Sequence, residues 1–204
     1  RSEVQGASRG SVQAQLVFLG KDGTITVERG YVTRPEDLEL IGGAGHAIRS
    51  LNEAGLLVVV VSNQSGVARG LMAEEDLAAV HRGLERLLEG EGARLDAAYY
   101  CPNHADGVVE RFARDTSRRK PELGMLGDAV RDLGMDVASS VMVGDQMTDV
   151  EFAQRAGMRM IIVETGKGAE TARAASERGI EVAARVPDLA AAAEWIISKV
   201  AGEG

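Results

Sequence analysis

Short apolar runs that alternate with longer amphipathic stretches constrain the fold of this chain more than any other feature of its sequence. The clearest run, residues 56–61, is apolar throughout, as a strand buried on both faces of a parallel sheet should be. Residues 16–19 form a second such run, which ends at Gly20. Three shorter runs are further strand candidates, at residues 97–100, 140–143 and 159–163.

Helical patterns occupy the segments between these runs. The strongest covers residues 74–91, where apolar side chains recur at the spacing of one helix face. These side chains are Leu77, Val80, Leu84, Leu87 and Leu88. Gly134 and Gly157 are placed to end two other helices, and Asp188 is a candidate first-turn or capping residue of the last one. The predicted helices are residues 44–54, 74–91, 122–133, 148–156 and 188–199.

Strand–helix alternation of this kind predicts an α/β fold, a doubly wound parallel sheet with helices on both faces and right-handed crossovers. Ligands of such sheets bind outside the carboxyl ends of the strands, so the residues that follow each strand are the site candidates. A length of 204 residues suits one domain with a full core. We assign residues 15–204 to this domain. Residues 1–14, polar and rich in Gly and Ser, are expected to be a flexible tail or an expression remnant.

The composition restricts the partners and the compartment. A net charge of −8 at pH 7 argues against broad nucleic-acid binding but allows a local basic pocket for a small anion. The one cysteine, Cys101, cannot form an intramolecular disulfide, which suits a reducing cytoplasm. No apolar run is long enough to span a bilayer, and the first fifteen residues lack the apolar stretch of a signal peptide. We expect a cytoplasmic monomer without nucleic-acid or membrane partners.

Side chains suited to holding a phosphate follow the predicted strands. Asp145 supplies a carboxylate of the kind that Mg²⁺ prefers, and Asp149 is a second candidate. Ser62 can donate from its hydroxyl and backbone N–H groups to phosphoryl oxygens, and Lys120 supplies a compact positive charge. The turn at residues 64–66 offers further N–H donors to an anion. Because these groups should meet at one edge of the sheet, they predict a phosphate site with a divalent cation.

Seven short motifs give the chain a family resemblance. They are Asp22-Gly23-Thr24-Ile25, Gly30-Tyr31-Val32, Asn63-Gln64-Ser65-Gly66, Ala68-Arg69-Gly70, Tyr100-Cys101-Pro102, Arg119-Lys120-Pro121 and Met142-Val143-Gly144-Asp145. With these motifs in order at the strand ends, the sequence resembles the haloacid-dehalogenase (HAD) superfamily of phosphatases. From about Leu16 to Val200 it is most similar to the D-glycero-D-manno-heptose 1,7-bisphosphate phosphatases, and next to the histidinol-phosphate phosphatases.

The resemblance implies a role for most of these residues. In the family, the first Asp of an Asp-x-Asp strand end is the nucleophile that forms an aspartyl-phosphate, and the second, here Asp22, is the general acid and base. Ser62 and Lys120 match the residues that steady the transferring phosphoryl group. Asp145 and the backbone carbonyl of Asp22 match the Mg²⁺ ligands. The implied substrate-binding residues are Glu28, Arg29, Gly30, Tyr31, Ser62, Asn63, Gln64, Ser65, Arg119 and Lys120. No large cap domain is expected, because the connection over residues 25–55 is too short for one.

Gly20 is the first departure from the family pattern, since it stands where the nucleophilic Asp is expected. Loss of a nucleophile from an intact catalytic unit can lower the rate by a factor on the order of 10⁶. One fewer carboxylate should also weaken Mg²⁺ binding. Three explanations stay open: an introduced change that traps substrate or silences the enzyme, a natural non-catalytic relative, or a residual enzyme in which water activated by Asp22 attacks directly.

A loop that the family often holds with zinc is the second departure. The usual Cys-x-His and Cys-x-Cys ligands correspond here to Cys101, Asn103, Thr116 and Arg118. One cysteine, even with His104 as a stand-in, falls short of a tetrahedral zinc site, so we expect no zinc. Packing and hydrogen bonds should hold the loop, with Arg118 a candidate participant. Gln146 also departs from the pattern, because a lysine often follows the preceding Asp in the family.

The sequence therefore predicts Mg²⁺-dependent phosphomonoester hydrolysis on a small phosphorylated sugar, similar to D,D-heptose 1,7-bisphosphate and impaired by Gly20. The alternative is a non-catalytic module that still binds a phosphoester. His81 and Cys101 are interpreted as structural residues. Residues 166–168 are interpreted as a turn, because they are far shorter than a Walker A phosphate loop.

Overall fold

A six-stranded parallel sheet forms the centre of the fold, in a computed structural model that describes residues 15–135 and 137–202. The strands are β1 (Leu16–Leu19), β2 (Leu57–Asn63), β3 (Ala97–Cys101), β4 (Val141–Gly144), β5 (Arg159–Val163) and β6 (Ala184–Val186). Their order across the sheet is β3-β2-β1-β4-β5-β6. The chain therefore builds one half of the sheet outward from β1 and then adds β4 on the other side. The switch point, where ligands of such sheets bind, lies between β1 and β4.

Helices connect the strands and cover both faces of the sheet, which confirms the predicted doubly wound α/β fold. They are α1 (Ala44–Glu53), α2 (Glu74–Gly90), α3 (Glu110–Ala113), α4 (Gly124–Leu133), α5 (Met147–Ala156), α6 (Gly168–Glu177) and α7 (Leu189–Gly202). Between β1 and α1 the chain forms only a short 3₁₀ turn, Pro35–Asp37, so no large cap domain is inserted there.

Two apolar layers hold the sheet between the helices. Helices α1, α2 and α7 pack on one face, while α4, α5 and α6 pack on the other. Successive residues of β1 point to opposite layers, as the strand period requires. Val17 and Leu19 belong to the first layer and Leu16 and Phe18 to the second, and all four are fully buried. Burial of both faces of β1 therefore fixes the position of Gly20, the next residue, at the carboxyl edge of the sheet.

Helix ends follow the predicted signals. Gly134 and Gly157 end α4 and α5 with φ values of +63° and +69°, in the left-handed region that glycine enters without strain. Asp188 caps α7, since its Oδ1 accepts a hydrogen bond of 2.9 Å from the backbone N–H of Ala191. The expectation that Leu87 faces the core is wrong, because its side chain is 39% exposed.

The main correction to the predicted strands concerns β2. It is displaced from residues 56–61 to Leu57–Asn63, because the pairing with β3 continues through Ser62 opposite Tyr100. Ser62 and Asn63 are therefore held by the sheet itself.

In the described ranges no helix is long and apolar enough to cross a membrane. Residues 1–14 lie outside those ranges, and the assignment of residues 15–204 to one domain stays a prediction.

Candidate active site

A cleft of about 360 Å³ opens at the carboxyl edge of the sheet and gathers almost all of the predicted site residues. The predicted residues that line it are Gly20, Asp22, Glu28, Gly30, Tyr31, Ser62, Asn63, Gln64, Ser65, Arg119, Lys120 and Asp145. Arg29 does not line it. The Arg29 guanidinium is half exposed, forms an ion pair with Glu39, and borders a neighbouring depression.

Lys120 is a buried cation of the cleft. It is 5% exposed, and its ammonium group donates to Asp149 Oδ1 at 2.5 Å and to the backbone carbonyl of Val61 at 2.7 Å. Asn63 fixes the backbone of Lys120 from both sides, because its amide accepts from the Lys120 N–H at 2.9 Å and donates to the Lys120 carbonyl at 3.0 Å. The Asn63 side chain, predicted to bind substrate, is thus engaged in positioning Lys120.

Asp22 is held by three donors. Lys21 Nζ lies 2.6 Å from Oδ1, the Thr26 hydroxyl lies 3.2 Å from the same oxygen, and Gln64 Nε2 lies 2.9 Å from Oδ2. The same amide nitrogen of Gln64 lies 2.8 Å from the buried hydroxyl oxygen of Ser62. Gln64 therefore links the candidate acid–base residue to the candidate phosphate-binding serine.

Asp145 is the deepest carboxylate of the cleft, with 1% of the residue exposed. Its Oδ2 accepts from the Lys167 backbone N–H at 2.9 Å, and its Oδ1 accepts from the Thr24 hydroxyl at 3.4 Å. No cationic side chain pairs with it among the described residues. Burial, with a smaller contribution from the negative charges of Asp149 and Glu28, raises the pKa of Asp145 to about 7, although the hydrogen bond from the Lys167 backbone N–H opposes this rise.

This environment fits a divalent cation. A buried carboxylate without a paired cation is costly, and a bound cation would relieve that cost. The backbone carbonyl of Asp22 accepts no backbone hydrogen bond among the described residues and is free to serve as a second ligand. The same ranges contain no group of three or more His, Cys, Asp or Glu side chains arranged for a metal. A cation here would therefore rely on one carboxylate, one carbonyl, and oxygens from water and phosphate.

Gly20 directly follows β1 and lines the cleft. Its backbone N–H donates to the Val143 carbonyl at 3.0 Å, so β1 and β4 still pair at this point. Its φ is not in the left-handed region, and a Cβ added to it would lie 3.2 Å from Thr24 Oγ1 and 3.6 Å from Asp149 Oδ2. A side chain at this position is accommodated only if Thr24 moves by a few tenths of an ångström.

The loop that would carry zinc in the family is held by hydrogen bonds and ion pairs, as expected. Arg118 takes part, because its guanidinium lies 2.7 Å from Asp128 of α4. The Arg119 guanidinium donates to the carbonyl of Asn103 at 3.4 Å, and the backbone N–H of Arg119 donates to the Thr116 carbonyl at 2.8 Å. Arg119 thereby connects two of the four positions that match zinc ligands, Asn103 and Thr116.

A basic cluster of Arg69, His104 and Arg119 lies next to this loop. Arg69 Nη2 is 3.3 Å from His104 Nε2, and neither arginine has an acidic partner among the described residues. Burial lowers the pKa of Arg119, and the charge of Arg69 lowers it further. Burial also lowers the pKa of His104, together with the charges of both arginines. The cluster is therefore suited to accept an anion.

Sequence reasoning missed parts of the site. Lys21, which was not assigned to the site, lines the cleft and is buried. Lys167 was expected in a simple turn, and it also lines the cleft. The residue that could have indicated this role of Lys167 is the following Gly168, where a Cβ would lie 1.5 Å from the Val163 carbonyl oxygen. Such a close approach needs glycine and brings the Lys167 N–H to Asp145.

Comparisons with known proteins identify the family to which the chain belongs. The HAD-hydrolase-like family model matches residues 117–192. The D-glycero-D-manno-heptose-1,7-bisphosphate 7-phosphatase of Thermosynechococcus vestitus is 42% identical over 91% of this chain and 96% of its own length. The chain belongs to the heptose-bisphosphate phosphatase family of the HAD superfamily. The family member from Escherichia coli K12, the D-glycero-beta-D-manno-heptose-1,7-bisphosphate 7-phosphatase, is 36% identical over 91% of this chain and 89% of its own.

Solved structures agree with this family assignment and confirm the resemblance seen in the motifs. The D,D-heptose 1,7-bisphosphate phosphatase of B. bronchiseptica, complexed with magnesium and phosphate, superposes with a TM-score of 0.80 and 33% identity, over 91% of this chain and 99% of its own. A putative HAD-like phosphatase of Mesorhizobium loti superposes with a TM-score of 0.78 and 31% identity, over 92% of this chain and 88% of its own. The chain therefore matches both structures over most of their length.

Proposed function

We propose that the cleft is a Mg²⁺-dependent phosphomonoester site for a small phosphorylated sugar of the D,D-heptose 1,7-bisphosphate type, in which Gly20 impairs hydrolysis. The substrate class is supported by the names of the curated relatives, which are heptose-bisphosphate phosphatases. The cation is supported by the B. bronchiseptica relative, which was crystallised with magnesium and phosphate.

The observation that carries this proposal is the convergence of Ser62, Lys120 and Asp145 on one cleft, although they come from different parts of the chain. Lys120 offsets the charge of a phosphoryl group, and its position is fixed by Asn63 and Asp149. Ser62 supplies a hydroxyl to the same cleft. These groups supply electrostatic stabilisation and positioning, which make up most of phosphoryl-transfer catalysis.

The Mg²⁺ site would be built from the Asp145 carboxylate and the backbone carbonyl of Asp22. When bound, the cation neutralises charge on the phosphoryl oxygens. Every other contribution comes from the chain. Asp22, held by Lys21, Thr26 and Gln64, is placed to accept a proton from a water molecule in the cleft. That is the step left to the chain when residue 20 offers no carboxylate.

The basic cluster of Arg69, His104 and Arg119 supports a substrate with a second phosphate. Arg119 lines the cleft, and Arg69 contacts His104 beside it. A bisphosphate carries a distal anionic group, and guanidinium groups match the geometry of phosphate oxygens. Since neither arginine pairs with a carboxylate among the described residues, both can bind such an anion.

The alternative function is a non-catalytic module that binds the phosphoester without turnover. It is favoured by one observation, namely that Gly20 alone departs from the catalytic pattern while Asp22, Ser62, Lys120 and Asp145 retain their places around the cleft. Binding depends on the retained groups, whereas the covalent route needs the missing carboxylate.

Phosphate release from a heptose 1,7-bisphosphate, with and without Mg²⁺, tests these alternatives when this chain is compared with its Gly20→Asp variant. We expect the variant to turn over faster by a factor on the order of 10⁴ or more, because it regains the nucleophile and a metal ligand. Gly20→Asn, of similar size but without the nucleophile, is the matched control and should stay slow. Equal rates for this chain and Gly20→Asp would establish direct attack by water. Failure of Gly20→Asp to turn over or bind the bisphosphate would rule out the proposed substrate.

A further inference from the structure

Gln64 touches two candidate functional groups of the cleft from a single atom. Its Nε2 lies 2.9 Å from Asp22 Oδ2 and 2.8 Å from Ser62 Oγ. The Asp22 carboxylate, which also pairs with Lys21, can only accept hydrogen bonds, so the amide must present its nitrogen to it and not its oxygen. That nitrogen carries two hydrogens, and both are therefore engaged inside the protein. Neither is left for direct donation to a substrate.

The contact with Gln64 gives the Ser62 hydroxyl a direction. Because Ser62 Oγ accepts from Gln64, its own proton must point elsewhere. The ammonium group of Lys120, bonded to the carbonyl of Val61 at 2.7 Å, is a second donor and cannot accept that proton. No oxygen of residues 15–135 and 137–202 accepts it either. Ser62 is 4% exposed and lines the cleft, so an oxygen of a bound ligand is the acceptor that this hydroxyl lacks.

Backbone contacts fix Gln64 in the place that these hydrogen bonds require. Its backbone N–H donates at 2.8 Å to the carbonyl of Cys101, the last residue of β3. Ser62 lies two residues earlier, on β2, where it pairs with Tyr100 of β3. Gln64 is 9% exposed, so water competes little for its amide. The sheet therefore sets the position of both the amide and the hydroxyl that it contacts.

We propose that Gln64 is a positioning residue, which turns the Ser62 hydroxyl toward the phosphoryl group and holds the Asp22 carboxylate in place. The inference rests on the proposed phosphoester site and deepens it. Without the amide, the Ser62 proton is free to turn away from the phosphate, and Asp22 loses one of its three donors. Gln64 thus acts through two other residues, unlike the direct substrate contact that the family resemblance implies.

The first test is the binding of inorganic phosphate in the presence of Mg²⁺, measured by isothermal calorimetry on this chain, Ser62→Ala, Gln64→Met and the double variant. Ser62→Ala should weaken binding roughly tenfold, the scale of one hydrogen bond to a charged group. Gln64→Met should weaken it about fivefold, because the hydroxyl loses its direction. The double variant should bind as Ser62→Ala does, since the group through which Gln64 acts is gone.

Losses that multiply in the double variant would mean that Gln64 contacts phosphate directly, and would overturn the proposal. Gln64→Leu, a second side chain without donors, should behave as Gln64→Met does. Thermal unfolding without ligand confirms that each variant is folded. If this chain binds no phosphate in the presence of Mg²⁺, the proposed phosphoester site fails and the inference fails with it.

Kinetics on a heptose 1,7-bisphosphate in the Gly20→Asp/Ser62→Ala background isolate the contact with Asp22. Adding Gln64→Met there should lower kcat roughly tenfold and leave KM unchanged, because a misplaced Asp22 affects the chemical step and not the binding of the sugar. A higher KM with unchanged kcat would show that Gln64 binds the substrate itself and would contradict the positioning role. If Gly20→Asp does not turn over, the phosphatase function fails, whereas the phosphate-binding cycle still decides the role of Gln64.

Discussion

Two glycines with nearly the same backbone conformation are constrained in different ways. Gly23 and Gly30 have φ values of +79° and +76°, in the region that side chains with a Cβ rarely adopt. A Cβ on Gly23 would lie 2.1 Å from Asp145 Oδ2, whereas a Cβ on Gly30 would have nothing within 4 Å. The first glycine therefore lets the β1 loop pack directly on the candidate metal ligand, and the second only allows the turn.

Alanine substitutions separate these two constraints. Gly30→Ala should lower the free energy of unfolding by about 1 kcal/mol, from backbone strain alone. Gly23→Ala adds a collision with Asp145 and should lower it by about 3 kcal/mol or more. Urea unfolding followed by circular dichroism measures both. Equal losses would mean that the loop moves away from Asp145 at no cost.

At the scale of elements, Asp149 joins the start of α5 to the segment that precedes α4. Its Oδ2 accepts from the Gln146 backbone N–H at 3.0 Å, which caps α5, and its Oδ1 accepts from Lys120. Asp149 is 2% exposed and Lys120 is 5% exposed, so the pair is shielded from water. Lys120, which we propose binds the phosphoryl group, therefore also helps to position two helices.

Removal of one partner of this pair should destabilise the fold strongly. Lys120→Met leaves the Asp149 charge buried and unpaired, and we expect a loss of about 3–5 kcal/mol in the free energy of unfolding. The double variant Lys120→Met/Asp149→Asn removes the charge and should regain most of that loss. Thermal and urea unfolding of the single and double variants gives the double-mutant cycle for Lys120 and Asp149.

The exposed pair of Arg155 and Glu122, at 2.5 Å, is the matched control for this cycle. Its side chains are about half exposed, so Arg155→Met should cost about 1 kcal/mol or less. A small effect at Lys120, similar to that at Arg155, would show that the buried pair opens to water.

Elements that are long or buried on both faces could be predicted from sequence, whereas short edge elements could not. The β5 prediction matches Arg159–Val163, because four of its residues are buried and apolar. The missed β6, Ala184–Val186, has three residues, and its central arginine is exposed, so neither length nor alternation marks it. The missed α6, Gly168–Glu177, buries no large apolar side chain, because its buried residues are Gly168, Thr171, Ala172 and Ala175.

Within the site, sequence located the groups but not the contacts between them. The strand ends predicted that Asp22, Ser62 and Asp145 would meet, because parallel strands share one carboxyl edge. The part played by Gln64, which contacts both Asp22 and Ser62, depends on side-chain rotamers. The basic partner of Arg119, Arg69, comes from a turn fifty residues away, and no periodicity connects the two.

For the whole molecule, the order of the strands decides which parts of the chain are protected. β1 lies between β2 and β4 with both faces buried, whereas β6 pairs only with β5. The residues of β6 are partly or fully exposed. Opening of β6 breaks few contacts, while opening of β1 separates the two halves of the sheet.

Amide hydrogen exchange should reveal this difference. Amides of β1 and β4 should exchange only through global unfolding, and those of β6 through a local opening of lower free energy. Native-state exchange measured in increasing urea distinguishes the two, because only global opening has a steep denaturant dependence. The same steep dependence in β6 would mean that the sheet opens as one unit.

The pairing of β1 with β4 also has a consequence for how the protein is made. Gly20 and Asp145 are separated by 125 residues of chain, so at common rates of translation roughly 6 to 25 seconds pass between their appearance on the ribosome. Throughout that interval β1 can pair with β2, but its other edge presents unpaired backbone N–H and C=O groups between apolar side chains. A nascent or prematurely terminated chain that ends before β4 would offer that edge to chaperones and proteases and would lack Asp145.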